Sequence, residues 1–145
     1  MPDEQTIVTR TVLEALLQQA VLARIATANP VTHQPHVVPV WFLWDGASLW
    51  VSAFDSTRKI KELKKNSLCS ILIEPKESDG ALQAVLFEGP VELISEPRLL
   101  VESMTTKIYI RYLGENGVLA EDPQSWIHDP ENLVIRMTPK KTYYW

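Results

Sequence analysis

From His36 to Trp44 the chain reads HVVPVWFLW, with no polar side chain after the histidine. Side chains alternate along a strand, so Val38, Val40, Phe42 and Trp44 point one way and Val37, Pro39, Trp41 and Leu43 the other. Both faces are apolar. A sheet with one wet face alternates with polar residues, so this strand needs a core on one side and a second cover on the other. Pro39 cannot donate a ladder hydrogen bond, which places it at an edge or a bulge. An apolar edge left open aggregates, so a bound cofactor or a second subunit is the expected cover.

The neighbouring segments supply a sheet for this strand to join. Asp45-Gly46 closes it, and Ser48 to Phe54 returns beside it as a hairpin. Upstream, Leu22 to Ala28 reads as a strand followed by the turn chemistry of Asn29, Pro30, Thr32 and His33. Downstream come a strand over Ser67 to Glu74, a turn over Pro75 to Gly80, and a long strand over Ala81 to Ile94 kinked at Gly89-Pro90. Asn132 to Thr138 is the last clear strand, and Pro139 to Trp145 is a tail or a further short strand.

Helices punctuate this series. Thr11 and Glu14 have capping-box spacing ahead of an apolar stripe, Val12, Leu13, Leu16, Leu17 and Ala20, which predicts a helix ending near Ala20. Asp55 to Lys65 predicts a short helix. Ser95 as cap, with Pro97 in the first turn, predicts a longer one that stops at Gly114. The stretch from there to Asp129 reads as a loop pinned by Trp126. About six strands joined mostly by tight turns favour a mainly β fold, a six-stranded antiparallel barrel with flanking helices, over a parallel βαβ sheet. At 145 residues, residues 1–145 have the length of a single domain with its own core.

Composition narrows the function classes. A net charge of −4 counts against nucleic-acid binding. Cys69 is the only cysteine, so no intrachain disulfide forms. The N-terminus lacks a basic segment ahead of an apolar one, and no apolar run approaches the roughly 20 residues that span a bilayer, so a soluble, cytoplasmic protein without membrane association is expected. His33, His36 and His128 show no ligand-like spacing, and no metal site is expected. Of the five tryptophans, Trp41 is the one expected to meet a cofactor; the others read as core or interface.

The segment most suited to binding runs from Phe54 to Lys65. Asp55 or Ser56 would cap its helix, leaving Arg58 and Lys59 in the first turn. A helix start carries partial positive charge and attracts acids, so these cations are misplaced by a few tenths of a kcal/mol to about 1 each. A phosphate relieves the mismatch by accepting from free backbone N–H groups, from the hydroxyls of Ser56 and Thr57, and from both cations. Helical periodicity sets Arg58, Lys61 and Lys65 away from apolar Ile60 and Leu63, as a solvated basic face would be. Lys59 instead flanks the buried stripe, with its ammonium turned toward a sheltered anion or past it to water. Periodicity alone leaves the phosphate cradle and the plain surface helix both open.

The chain resembles the flavin-binding split-barrel superfamily, the pyridoxamine 5′-phosphate oxidase-like proteins. The residues that carry the likeness are Leu22-Ala23-Arg24-Ile25-Ala26-Thr27, Pro39-Val40-Trp41-Phe42 leading to Asp45-Gly46, Thr57-Arg58-Lys59 with Leu63, and Phe87-Glu88-Gly89, with a weaker match over Lys107 to Gly114. The resemblance implies a homodimer with two equivalent sites between subunits, binding FMN or the deazaflavin coenzyme F-420. It implies that Val38, Pro39, Val40 and Trp41 lie along the ring. It further implies that the segment from Ser52 to Lys59, through Ser52, Ser56, Thr57, Arg58 and Lys59, holds the phosphate. The tail Pro139 to Trp145 lacks the basic, histidine-containing substrate motif of true pyridoxamine phosphate oxidases, so the likeness points to an oxidoreductase acting on another small-molecule substrate. No catalytic side chain stands out. A carrier of the cofactor or of a tetrapyrrole-like ligand is the alternative, because fold does not fix function.

Overall fold

The apolar segment from His36 to Trp44 is not one strand but two, and it forms the seam of the barrel. In the computed structural model, residues 4–77 and 82–145 are described, with side chains from Thr9 onward. The elements in chain order are α1 (Glu4–Leu17), β1 (Ala23–Ala28), β2 (Pro35–Val40), β3 (Leu43–Trp44), β4 (Leu49–Phe54), α2 (Arg58–Lys65), β5 (Leu68–Ile73), β6 (Val85–Ile94), α3 (Arg98–Gly117), α4 (Glu121–Ile127), β7 (Asn132–Met137) and β8 (Lys141–Tyr144). Strands pair antiparallel in the order β2-β1-β5-β6-β7-β4-β3, with β8 added beside β6. The ends of that path, β2 and β3, are joined by only Trp41 and Phe42, so the sheet curls round until its two edges share one stretch of chain.

The expected hairpin through Asp45-Gly46 forms, but it is short. Only Leu43↔Trp50 and Trp44↔Leu49 pair across it, because the backbone at the break bonds elsewhere. The Phe42 N–H donates to the Tyr112 hydroxyl at 3.2 Å, and the Phe42 carbonyl accepts from Arg111 Nε at 2.9 Å. Tyr112 also donates to the Val21 carbonyl, and Arg111 Nη2 to that of Gln19. The far end of α3 thus satisfies the polar groups that a continuous ladder would have used. The count of six strands is also corrected. The break splits one strand into β2 and β3, and the tail forms β8, giving eight among the described residues.

Within the sheet the turns follow the sequence chemistry. Asp45 Oδ1 accepts from the N–H groups of Ala47 and Ser48, Oδ2 accepts from Trp50 Nε1, and Gly46 takes φ +98°, open only to glycine at low cost. Asn29 Oδ1 accepts from Val31 and Thr32 to close the β1–β2 turn. β6 changes partners at Pro90, pairing with β5 from Val85 to Pro90 and with β7 from Val91 onward. The chain is closely approached at the changeover, where a Cβ on Gly89 would lie 3.1 Å from the Lys140 nitrogen. The turn expected over Pro75 to Gly80 and the strand start at Ala81 fall partly outside the described residues.

The helices depart from expectation at their ends. α1 begins at Glu4, so Thr11 lies inside it, and Glu14 accepts from Trp44 Nε1 rather than closing a capping box. Neither Asp55 nor Ser56 caps α2. Thr57 is the N-cap, but its hydroxyl donates to the Phe54 carbonyl, Asp55 pairs with Lys64, and Ser56 Oγ approaches Glu131 at 3.5 Å. Pro97, not Ser95, is the N-cap residue of α3. The helix breaks at Gly114, φ +81°, before one more turn to Gly117. The loop expected to hold Trp126 is the helix α4, with Glu121 and Asp122 in its first turn, where the helix dipole favours acids.

Two apolar clusters result. The barrel interior gathers Ile25, Phe42, Ile60, Ile71, Ile73 and Phe87 among others, while α3 and α4 bury Val101, Ile108 and Ile127 against Trp50 and Val134 outside it. The adjacent residues at the break are shared between them. Phe42 enters the barrel core, and Trp41 packs on the helical cluster.

Candidate functional site

Where those clusters meet, the start of α2 faces an open cleft of about 400 Å³ lined by Leu22, Pro39, Val40, Trp41, Ser52, Lys59 and Tyr109. Each residue is delivered by a different necessity of the fold. Edge strand β2 presents Pro39, whose missing N–H is harmless there. The seam turns Trp41 outward. Ser52 and Phe54 are the half-buried members of β4, whose other four positions are buried. Lys59 flanks the buried side of α2, whose Ile60 and Leu63 enter the barrel.

The electrostatics of this cleft are unbalanced. Burial pushes the Lys59 ammonium below its ordinary range. Among the described residues no carboxylate forms an ion pair with it. The start of α2 adds to the imbalance, with no side-chain cap and no acid in its first turn. Tyr109, 8% exposed, has its phenol pushed up by burial, opposed by a hydrogen bond with Ser52. Trp41 stacks on Tyr112 with ring centroids 4.8 Å apart and 5° between planes, and meets Tyr109 edge-on at 5.6 Å. One face of its indole is therefore already covered.

Of the residues expected from sequence, the structure brings Pro39, Val40, Trp41, Ser52 and Lys59 to this cleft. Val38 packs toward the barrel core. Thr57 Oγ1 is engaged with Phe54, and Ser56 is exposed beside Glu131. Arg58 lies on the other flank of α2, its Nε 3.2 Å from Glu62 Oε2, in a second cleft with the β1–β2 turn. Leu22 and Tyr109 line the first cleft without having been picked as site residues. Tyr109 and Tyr112 sit three apart on α3 and so share a face, but only the fold shows that this face meets Trp41.

A planar group ending in an anion fits what is present. The walls set the apolar or aromatic side chains of Leu22, Pro39, Val40, Trp41 and Tyr109 beside the polar Ser52 and Lys59, the volume lies within the roughly 300–1,000 Å³ of small-molecule sites, and the half-buried cation has no carboxylate partner among the described residues. The Cys69 thiol, buried in the barrel and pushed up to about 12, offers no competing nucleophile. Among the described residues no cluster of His, Cys, Asp and Glu suits a metal ion, and no helix is long and apolar enough to cross a membrane.

An antiparallel barrel split along one seam, with helices flanking its sheet, defines the split-barrel class of proteins. The profile of the family described as pyridoxamine 5′-phosphate oxidase matches residues 10–145, and the chain belongs to that family. No curated protein matches it in sequence. Among solved structures it is similar to a conserved hypothetical protein from Mycobacterium tuberculosis at 19% identity and TM-score 0.73, over 100% of this chain and 85% of that one. It is similar to an F420 reductase at 24% identity and TM-score 0.70, over 90% of this chain and 94% of that one. A third, the heme storage protein HutZ from Vibrio cholerae, has 15% identity and TM-score 0.71 over 92% of each chain. At these identities the likeness is one of fold.

Proposed function

We propose that this chain is an oxidoreductase that binds FMN or the deazaflavin coenzyme F-420 between two copies of itself and reduces a small organic acceptor. The observation that carries the reading is Lys59, a half-buried cation with no carboxylate partner among the described residues, at the uncapped start of α2. Lys59, the Ser52 hydroxyl and the first N–H groups of α2 would hold the phosphate. Pro39, Val40 and Trp41 would flank the ring, with Val38 behind them, while Ser56, Thr57 and Arg58 surround the same helix start from its outer side. The bound flavin supplies the hydride chemistry. The chain's part is to orient the ring, exclude water from its buried face and neutralise the phosphate.

A second copy suits the surface. Val37 and Leu68 are 62% and 59% exposed on β2 and β5, an apolar outer face that a homodimer would cover. The F420 reductase and the heme storage protein share the fold, so a catalyst and a carrier are both within its range.

The test is a visible-absorption titration of the purified protein with FMN and, separately, with coenzyme F-420, then anaerobic reduction and a screen of quinone and enone acceptors. Saturable perturbation of one cofactor's spectrum and multiple turnovers support the reading. Binding without turnover leaves a carrier, and no binding of either cofactor sinks the proposal.

A further inference from the structure

We infer that the opposite flank of α2 is a second, separate binding site for a compact polyanion of the diphosphate class. The cleft there has a volume of about 520 Å³ and lies between α2 and the β1–β2 turn, with Arg58, Lys61 and Lys65 on one wall and Asn29 to Thr32 on the other. Arg58, Lys61 and Lys65 fall at i, i+3 and i+7, one face of the helix. Against these cations stands a single carboxylate, Glu62, in a chain whose net charge is −4.

What separates this cleft from a solvated basic face is the buried acid beneath it. Glu62 is 6% exposed. It accepts from the Thr27 hydroxyl on β1 at 2.7 Å, itself 3% exposed, and from Arg58 Nε at 3.2 Å. An ionised carboxylate is costly to bury, and this one is tolerated because both oxygens are bonded. The consequence is a fixed guanidinium. Its Nε is held from below, and the donors on its two Nη atoms, with no partner among the described residues, are left for a ligand in the planar fork that matches phosphate oxygens. Neither Lys61 nor Lys65 forms an ion pair among the described residues, so both ammonium groups are available to the same ligand. The facing turn is held shut by Asn29 Oδ1, which bonds the N–H groups of Val31 and Thr32, so the wall opposite the cations is preformed.

The inference does not rest on the flavin reading, because the Lys59 cleft and this one share no lining residue. The experiment is calorimetric titration of the cofactor-free chain with inorganic pyrophosphate at near-physiological salt. Saturable one-site binding is expected. It should weaken at least tenfold in the Lys61→Ala/Lys65→Ala double variant, whose exposed positions leave the fold intact, and stay unchanged in Lys59→Ala. Glu62→Gln is the sharpest arm. Diffuse attraction predicts tighter binding when a negative charge is removed, whereas a guanidinium that must be held in place predicts weaker binding. Absence of saturable binding, loss in Lys59→Ala with retention in the double variant, or tighter binding by a folded Glu62→Gln variant would each overturn the site. Pyrophosphate binding by a chain that takes up no flavin would uphold this inference while defeating the proposed function, and the reverse result would do the opposite.

Discussion

Arg58 and Lys59 are adjacent and carry the same charge, yet the fold treats them in opposite ways. Arg58 is half-exposed and braced by a buried carboxylate, whereas Lys59 is half-buried and unbraced among the described residues. The difference follows from the 100° step between successive helical residues, which turns one toward the β1–β2 turn and the other toward the seam. An acid beside a cation fixes its position and offsets its charge; without one, the cation keeps a demand for an outside anion. Two neighbouring cations can therefore serve different ligands.

The widest separation is expected in cofactor binding. Lys59→Ala should weaken FMN by roughly 1–3 kcal/mol and leave riboflavin, which lacks the phosphate, nearly unchanged. Arg58→Ala should cost FMN binding less than half as much, as read by absorbance titration. Equal losses in the two variants would collapse the distinction between the flanks.

The next contrast lies in pH. The Thr27 hydroxyl bond, then the Arg58 contact, hold the Glu62 carboxyl below its ordinary value of 4.5. A depressed carboxylate contributes stability that is fully present above the unfolded value and is lost as pH falls through the folded one. Glu62→Gln should therefore cost about 1 kcal/mol at neutral pH and progressively less below about pH 4.5, measured by urea melts. The smallest effect belongs to the other flank. Burial lowers the Lys59 value, so the charged form opposes folding at every pH below the ordinary lysine range and the penalty lifts only in alkali. Lys59→Met should accordingly stabilise the cofactor-free chain by about 0.5 kcal/mol in the same melts, while impairing FMN binding.

Much of this arrangement was readable from local pattern. Alternation found most strands, and helical period alone put Lys59 on the core flank of α2 and Arg58 with Lys61 and Lys65 on the other. What was unreadable depends on distant partners. The break at Trp41 and Phe42 is made by Tyr112 and Arg111, 70 and 69 residues from Phe42, and no local feature of HVVPVWFLW signals it. The same distance hid Tyr109, which reaches the cleft only because α3 lies across the seam. Thr11 and Glu14 had the right spacing for a cap, but helix continues upstream of them, and Glu14 is recruited by Trp44. α4 is short and contains Pro123, which disguised it, although the acid pair ahead of a proline is a helix-start signal.

The changeover in β6 has a consequence for how the chain tolerates length variation. One strand sets the alignment of β5 on one stretch and of β7 on the next, so an added residue just after Pro90 cannot be absorbed locally. It would swing Val91 and Leu93 out to water and drive Glu92 toward the apolar interior, because strand faces alternate singly. Such an insertion should abolish soluble expression, whereas one at the exposed tip of the β1–β2 turn, near Val31, should leave the barrel able to fold. Length is thus free to drift at the rim of the second cleft and is locked along the shared strand.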